Sequence, residues 1–187
     1  MPLAHDDAAI LDGARALVDA LRARGWMLAT AESCTGGGIA HAITAIAGSS
    51  DVFDRGFVTY SNDAKTDMLG VDASVLGRHG AVSEPVAIAM ADGALRASRA
   101  DVAVAVTGIA GPGGGTEQRP VGTVCFAWAT LEGERQARTV RLEGDRAAIR
   151  AQSVAIAMDG LTTLAGAPSA DGPSPSDPLP SNDRSME

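Results

Sequence analysis

Hydrophobic positions along this chain alternate between a helical and a strand-like period. Ile10, Ala14, Leu17 and Leu21 recur at helical spacing after Asp6-Asp7, and Gly25 ends that pattern. Trp26–Ala31 is a short apolar run of strand length, and a helix is expected from near Thr35, burying Ile39, Ile43 and Ile46. Gly56–Tyr60 reads as a strand, followed by helical pieces at Asp63–Leu69 and Ala73–Arg78. Ser83 is the expected cap of a helix with Pro85 in its first turn and Val86, Met90 and Ala94 on one face. Val102–Val106 is wholly apolar, the pattern of a strand covered on both faces. Val121–Thr130 and Gln136–Leu142 form a hairpin turning at Leu131–Glu134. A last helix runs from about Arg146 to Leu164, with Val154, Met158 and Leu161 on one side. The interleaving predicts an α/β fold, a three-layer α/β/α sandwich, and the hairpin makes its sheet mixed.

From Ala167 the pattern stops. Five of the nine prolines lie in 167–187, with almost nothing to bury. The chain thus divides into a folded domain, 1–166, and a Pro/Ser/Asp-rich tail, 167–187, expected to be disordered. A total of 187 residues, 45% of them apolar, is enough for one packed core. Only 3% are aromatic, so small and branched aliphatic side chains must do the packing.

Charge and cysteine usage narrow the function classes. The formal net charge is −8 and no basic stripe exists, which argues against nucleic acid as a partner but not against one small anionic ligand. No apolar run approaches the ~18 residues that span a bilayer, and the N-terminus lacks a signal-peptide pattern, so a cytoplasmic protein away from membranes is expected. Cys34 and Cys125 have no metal-ligand spacing and read as free buried thiols. His5, His41 and His79 are scattered, so neither a metal nor another cofactor is expected, and no Ser–His–Asp arrangement is suggested. A homo-oligomer such as a dimer remains open.

Three segments hold residues that are poor choices for structure alone. Ala31-Glu-Ser-Cys-Thr-Gly-Gly-Gly38 lies between a strand and a helix. Each glycine inside a helix costs about 1 kcal/mol relative to alanine, so three in a first turn ask for a reason. Close approach of a ligand to bare N–H groups at a helix N-terminus is one, with Ser33 at the turn as in a nucleophile elbow. A capping residue with glycines for tight packing is the other. Tyr60-Ser-Asn-Asp-Ala-Lys65 carries the chain's single lysine, against fourteen arginines, and its single tyrosine. A lysine kept in that background suggests a need for an amine that can lose its proton; a solvated surface lysine is the alternative. Thr107-Gly-Ile-Ala-Gly-Pro-Gly-Gly-Gly115 follows the buried strand, where open α/β sheets bind ligands, and its glycines suit either a phosphate nest or a mobile loop.

Taken in series, these segments resemble the CinA C-terminal domain family. Ala31–Gly37, Tyr60–Lys65, Gly80-Ala-Val-Ser-Glu84, Thr107–Gly115, Pro120-Val-Gly-Thr-Val124 and Gly144-Asp-Arg146 match its motifs in order and spacing, over about Ala8 to Leu164. The resemblance implies an anticodon-binding-domain-like α/β/α fold. It also implies an amidase converting nicotinamide mononucleotide to nicotinic acid mononucleotide and ammonia, in pyridine nucleotide salvage. Two residues depart from the pattern: Gly38, where a bulky aliphatic residue is usual, and Arg119, where lysine is common. The molybdopterin-binding-like domain that often precedes this one is not in the sequence, so activities tied to it are not carried over.

Amide hydrolysis needs a nucleophile, a base and donors for an oxyanion. Ser33 is the expected nucleophile and neutral Lys65 the base, with Tyr60 and Thr107 orienting the pair. Thr35, Gly36 and Gly37 are the oxyanion candidates. Gly108, Gly111, Gly113, Gly114 and Arg146 are the expected holders of the nucleotide and its phosphate. The glycine turn and glycine loop are interchangeable at this level. Lys65 itself is either base or phosphate ligand, because a neighbouring phosphate favours its charged form. The competing reading is a non-catalytic nucleotide-binding regulatory module.

Overall fold

The computed structural model describes residues 5–166. The expectation of a disordered tail at 167–187 lies outside the described residues. In chain order the elements are α1 (His5–Arg24), β1 (Leu28–Glu32), α2 (Gly38–Thr44), a 3-10 turn (Ser49–Asp51), β2 (Phe53–Val58), α3 (Asn62–Leu69), α4 (Ala73–His79), α5 (Glu84–Arg96), β3 (Val102–Gly108), β4 (Thr123–Thr130), β5 (Arg135–Arg141) and α6 (Arg146–Gly166). The strands form one sheet in the order β2-β1-β3-β4-β5. β2, β1 and β3 run parallel, and the β4–β5 hairpin adds two antiparallel pairings. The expected mixed sheet between helical layers is therefore present.

Alternation within the central strands decides which helices each face receives. Val102, Val104 and Val106 of β3 and Val124, Phe126 and Trp128 of β4 pack into a cluster with Leu17, Leu21, Ile43 and Leu161 of α1, α2 and α6. The intervening Ala103, Ala105, Ala127 and Ala129 face Val86, Met90 and Ala94 of α5. One face is bulky and the other is alanine, so α5 sits close to the sheet. No helix among the described residues is long and apolar enough to cross a membrane.

α6 approaches the bulky face where Trp128 Nε1 donates to Ala157 O at 3.0 Å. A Cβ at Gly160 would overlap the Trp128 ring. Gly160→Val is therefore expected to cost about 1–3 kcal/mol through overpacking and to lower Tm by several degrees in a thermal melt.

Two local expectations need correction. Ser83 occupies the position before α5, but its hydroxyl makes no cap and donates backwards to Gly80 O at 2.8 Å. The helix expected from Thr35 begins only at Gly38. Residues 33–37 form a turn in which Gly36 (φ 59°) and Gly37 (φ 91°) are left-handed, a conformation glycine adopts without strain. Two of the three glycines are thus required by the backbone, and only Gly38 is helical.

Candidate active site

The three parallel strands end side by side, and each delivers a polar residue there. β1 leads into Ser33, whose N–H extends the ladder to Val106 O at 2.9 Å. Alternation continues through it: Glu32 faces α2, Ser33 falls on the face of Ala29 and Ala31, and Cys34 returns to the opposite cluster. β2 leads to Thr59, and β3 carries Thr107 near its end. Ser33, Thr59 and Thr107 are all buried.

Lys65 reaches this cluster from α3. Ser61 starts that helix by accepting from Ala64 N at 3.0 Å, and one turn later Lys65 points inward, 1% exposed. Its Nζ donates to Ser33 Oγ at 3.2 Å and Thr59 O at 2.9 Å, with Ser61 O at 3.5 Å. Among the described residues no carboxylate lies within ion-pair distance of it. Burial pulls its pKa below the ordinary 10.5, against an opposing effect of Cys34. The alternative of a solvated surface lysine is overturned.

The turn around Ser33 is held from behind by Glu32. Its carboxylate accepts from Ile39 N at 3.0 Å and Ala40 N at 2.9 Å, and from Thr30 Oγ1 at 3.2 Å. The N-terminus of α2 is therefore already capped by a carboxylate from the same chain, which corrects the expectation of bare helical donors there. Gly36 N–H is also engaged, donating to Ser33 O at 3.0 Å. Cys34 adjoins the serine but faces away, and burial first, then Glu32, pushes its thiol up to about 11. At neutral pH it stays protonated and is a poor nucleophile. Both Cys34 and Cys125 are free and buried, as expected.

Tyr60 and Thr107 do not orient the Ser33–Lys65 pair by hydrogen bonds. Thr107 Oγ1 donates to Ala81 O at 2.9 Å, tying β3 to the loop before α5. Tyr60, 61% exposed, accepts at its hydroxyl from Arg146 Nη2 at 2.9 Å. Arg146 Nη1 donates to Gly111 O at 2.8 Å. Tyr60 follows β2 and Gly111 follows β3, so this exposed guanidinium links the segments that leave the two strands flanking β1.

The glycine loop divides by environment. A Cβ at Gly108 would press on Val124 and Thr123 of β4, and one at Gly111 on Val121, so both are small for packing. Gly113 and Gly114 are exposed. Gly114 lines a cleft of about 600 Å³ together with Ala81, Ile109 and Arg119. Neither Ser33 nor Lys65 lines that cleft. Thr35 is wholly buried, and its carbonyl accepts from Arg150 Nη2 at 2.8 Å.

Three participants were missed in the sequence. Glu32 lies seven residues before the first N–H it caps, outside the spacing of a capping box, so no local signal marks it. Arg150 follows Arg146 by four residues and shares its helix face, which was a readable spacing. Thr59 contributes a backbone carbonyl, for which no sequence signal exists.

A family model for the CinA C-terminal domain matches residues 12–165. The nicotinamide-nucleotide amidohydrolase PncC of Escherichia coli K12 is 55% identical over 155 residues, covering 83% of this chain and 94% of that protein. A CinA-like protein of Mycolicibacterium gilvum is 55% identical over 156 residues, 83% of this chain but 36% of its own length. The solved structure of the competence/damage-inducible protein CihA from Agrobacterium tumefaciens superposes with a TM-score of 0.83 at 50% identity, covering 88% of this chain and 99% of that one. With its buried Ser33–Lys65 pair at the strand ends of this mixed sheet, the chain belongs to the CinA C-terminal domain family.

Proposed function

We propose that this chain is an amidohydrolase that converts nicotinamide mononucleotide to nicotinic acid mononucleotide and ammonia, with Ser33 as nucleophile and Lys65 as base. The observation that carries the reading is Lys65 Nζ at 3.2 Å from Ser33 Oγ, buried and without a carboxylate partner. The substrate comes from the similarity to PncC, an enzyme whose name states its activity on nicotinamide nucleotides.

The three oxygens around Lys65 Nζ suit an ammonium or a neutral amine, and burial favours the neutral form, in which the Ser33 hydroxyl becomes the donor. Neutral –NH₂ has two N–H bonds and one lone pair. Thr59 O and Ser61 O accept the two protons, which leaves the lone pair for the Ser33 hydroxyl proton. In the reaction Ser33 Oγ bonds to the carboxamide carbon as Lys65 takes its proton. The resulting ammonium returns that proton to nitrogen as the C–N bond breaks and ammonia leaves. Water then attacks the acyl ester, with Lys65 again accepting a proton, and the carboxylate departs as Ser33 Oγ is reprotonated. The oxyanion is assigned to the Thr35 and Gly37 N–H groups of the turn, with Ser33 and Gly36 set aside because theirs donate to Val106 O and Ser33 O.

Arg146 is assigned the 5′-phosphate. It is exposed, and it already binds two neutral oxygens, from Gly111 and Tyr60, which a phosphate outcompetes through charge-assisted bonds. The burial of Lys65 supports the base role over the phosphate role. Arg146→Ala is expected to raise KM about tenfold or more while kcat stays within a few-fold, read from initial-rate kinetics. An equal fall of kcat would place Arg146 at the reacting atoms instead.

The direct test is ammonia release when purified protein meets nicotinamide mononucleotide. Stoichiometric ammonia and nicotinic acid mononucleotide, undiminished by EDTA, are expected. Tight binding of the nucleotide with no ammonia would replace this reading with a non-catalytic binding module.

A further inference from the structure

On the opposite face of the sheet from Ser33, a cavity of about 350 Å³ lies between α1, α2 and α6, against the back of the Ser33–Gly37 turn. Most of its wall is methyl groups, among them Ile10, Leu11, Ala42 and Val154. Thr35, His41 and Arg150 interrupt that apolar wall. Thr35 is 0% exposed, and among the described residues its Oγ1 has no hydrogen-bond partner. Arg150 donates through Nη2 to Thr35 O at 2.8 Å, but its Nε is buried and has no partner among the described residues. Among the described residues no carboxylate lies within ion-pair distance of Arg150.

Unmatched buried polar atoms are unfavourable, and here they are a hydroxyl and the Nε of a half-buried guanidinium that has no counter-ion. One ligand chemistry answers all three features. A carboxylate is planar, and its two oxygens accept together from the Arg150 guanidinium and from the Thr35 hydroxyl, which a turn of that side chain brings to the cavity surface. The methyl wall then receives an apolar body, and the volume suits a single ring or a short branched chain. We propose that this cavity is a second ligand site, separate from the Ser33–Lys65 pair, for a small carboxylate with an apolar or aromatic body. It does not depend on the amidase reading, since the Arg150 and Thr35 side chains hold no role there and only the backbone N–H of Thr35 is an oxyanion candidate.

Isothermal titration of the full chain with benzoate, beside neutral benzyl alcohol, tests it. Benzoate is expected to bind saturably, and benzyl alcohol at least about tenfold more weakly, because the alcohol cannot pair with Arg150. Ala151→Leu fills the cavity from α6, and Arg150→Met removes the charge; each is expected to weaken benzoate binding about tenfold or more. Arg150→Lys should restore part of it. Ala147→Leu, also on the cavity wall but exposed at the start of α6, replaces Ala151→Leu if that variant melts early. No saturable binding by the wild-type chain overturns the proposal. So does binding that the cavity-filling and Arg150→Met variants leave unchanged, since the benzoate would then sit elsewhere.

Discussion

Ser33→Ala is expected to lower kcat for nicotinamide mononucleotide about 10³-fold or more while the protein stays folded. The size follows from the way a nucleophile and its base act as one unit, so that losing either removes most of the rate advantage. The fold should survive because the structural contact of this residue is its backbone N–H to Val106 O, which alanine keeps. Among the described residues its hydroxyl hydrogen-bonds only to Lys65 Nζ, and that amine retains Thr59 O at 2.9 Å. Circular dichroism and a thermal melt establish folding, and ammonia release measures turnover. A folded Ser33→Ala protein with near wild-type turnover would exclude Ser33 as nucleophile and point to direct attack by water.

Lys65→Arg is the second large effect, with kcat expected to fall about 10²-fold or more. Arginine keeps the charge and the donors but does not give up its proton near neutral pH, so it fails as a base and partly succeeds as an anion ligand. Because Lys65 is 1% exposed, the bulkier arginine also strains the site, and Lys65→Met supplies a variant of similar length without the amine. Both should lose turnover at saturating substrate. Retained kcat with a raised KM would move Lys65 to the phosphate and sink the pair. In the wild-type protein kcat/KM should climb with pH and level off below 10.5, because burial lowers the Lys65 pKa and the neutral form is the active one. The same shift has a stability signature. Between the lowered value and 10.5 the unfolded chain holds a proton on Lys65 that the folded chain has lost, so stability from this group rises with pH across that window. Lys65→Met should abolish that increment.

The elements of this fold were legible because their causes are local. Period and punctuation mark α1 and its stop at Gly25, the buried β3, the β4–β5 hairpin and α6 within a few residues of where they lie. Nothing local marked that Ser83 turns its hydroxyl back to Gly80, or that α2 starts only at Gly38. Both depend on what stands opposite once the chain has folded, above all the Glu32 carboxylate on the first N–H groups of α2.

The same division runs through the candidate site. Composition singled out Lys65, since one lysine among fourteen arginines is a chemical choice visible without coordinates. Its burial, and the 3.2 Å separation from Ser33, follow from the sheet order β2-β1-β3, which sets residues 32 positions apart beside each other. Tyr60 and Thr107 share a motif with the pair or end a neighbouring strand, yet their hydroxyls turn to Arg146 and Ala81. Sequence by itself determined which residue types were available for chemistry, because side-chain pKa and backbone freedom belong to single residues. Only the tertiary structure decided which of them meet and which lose their water, because hydrogen bonds a few ångströms long and desolvation depend on neighbours distant in the chain.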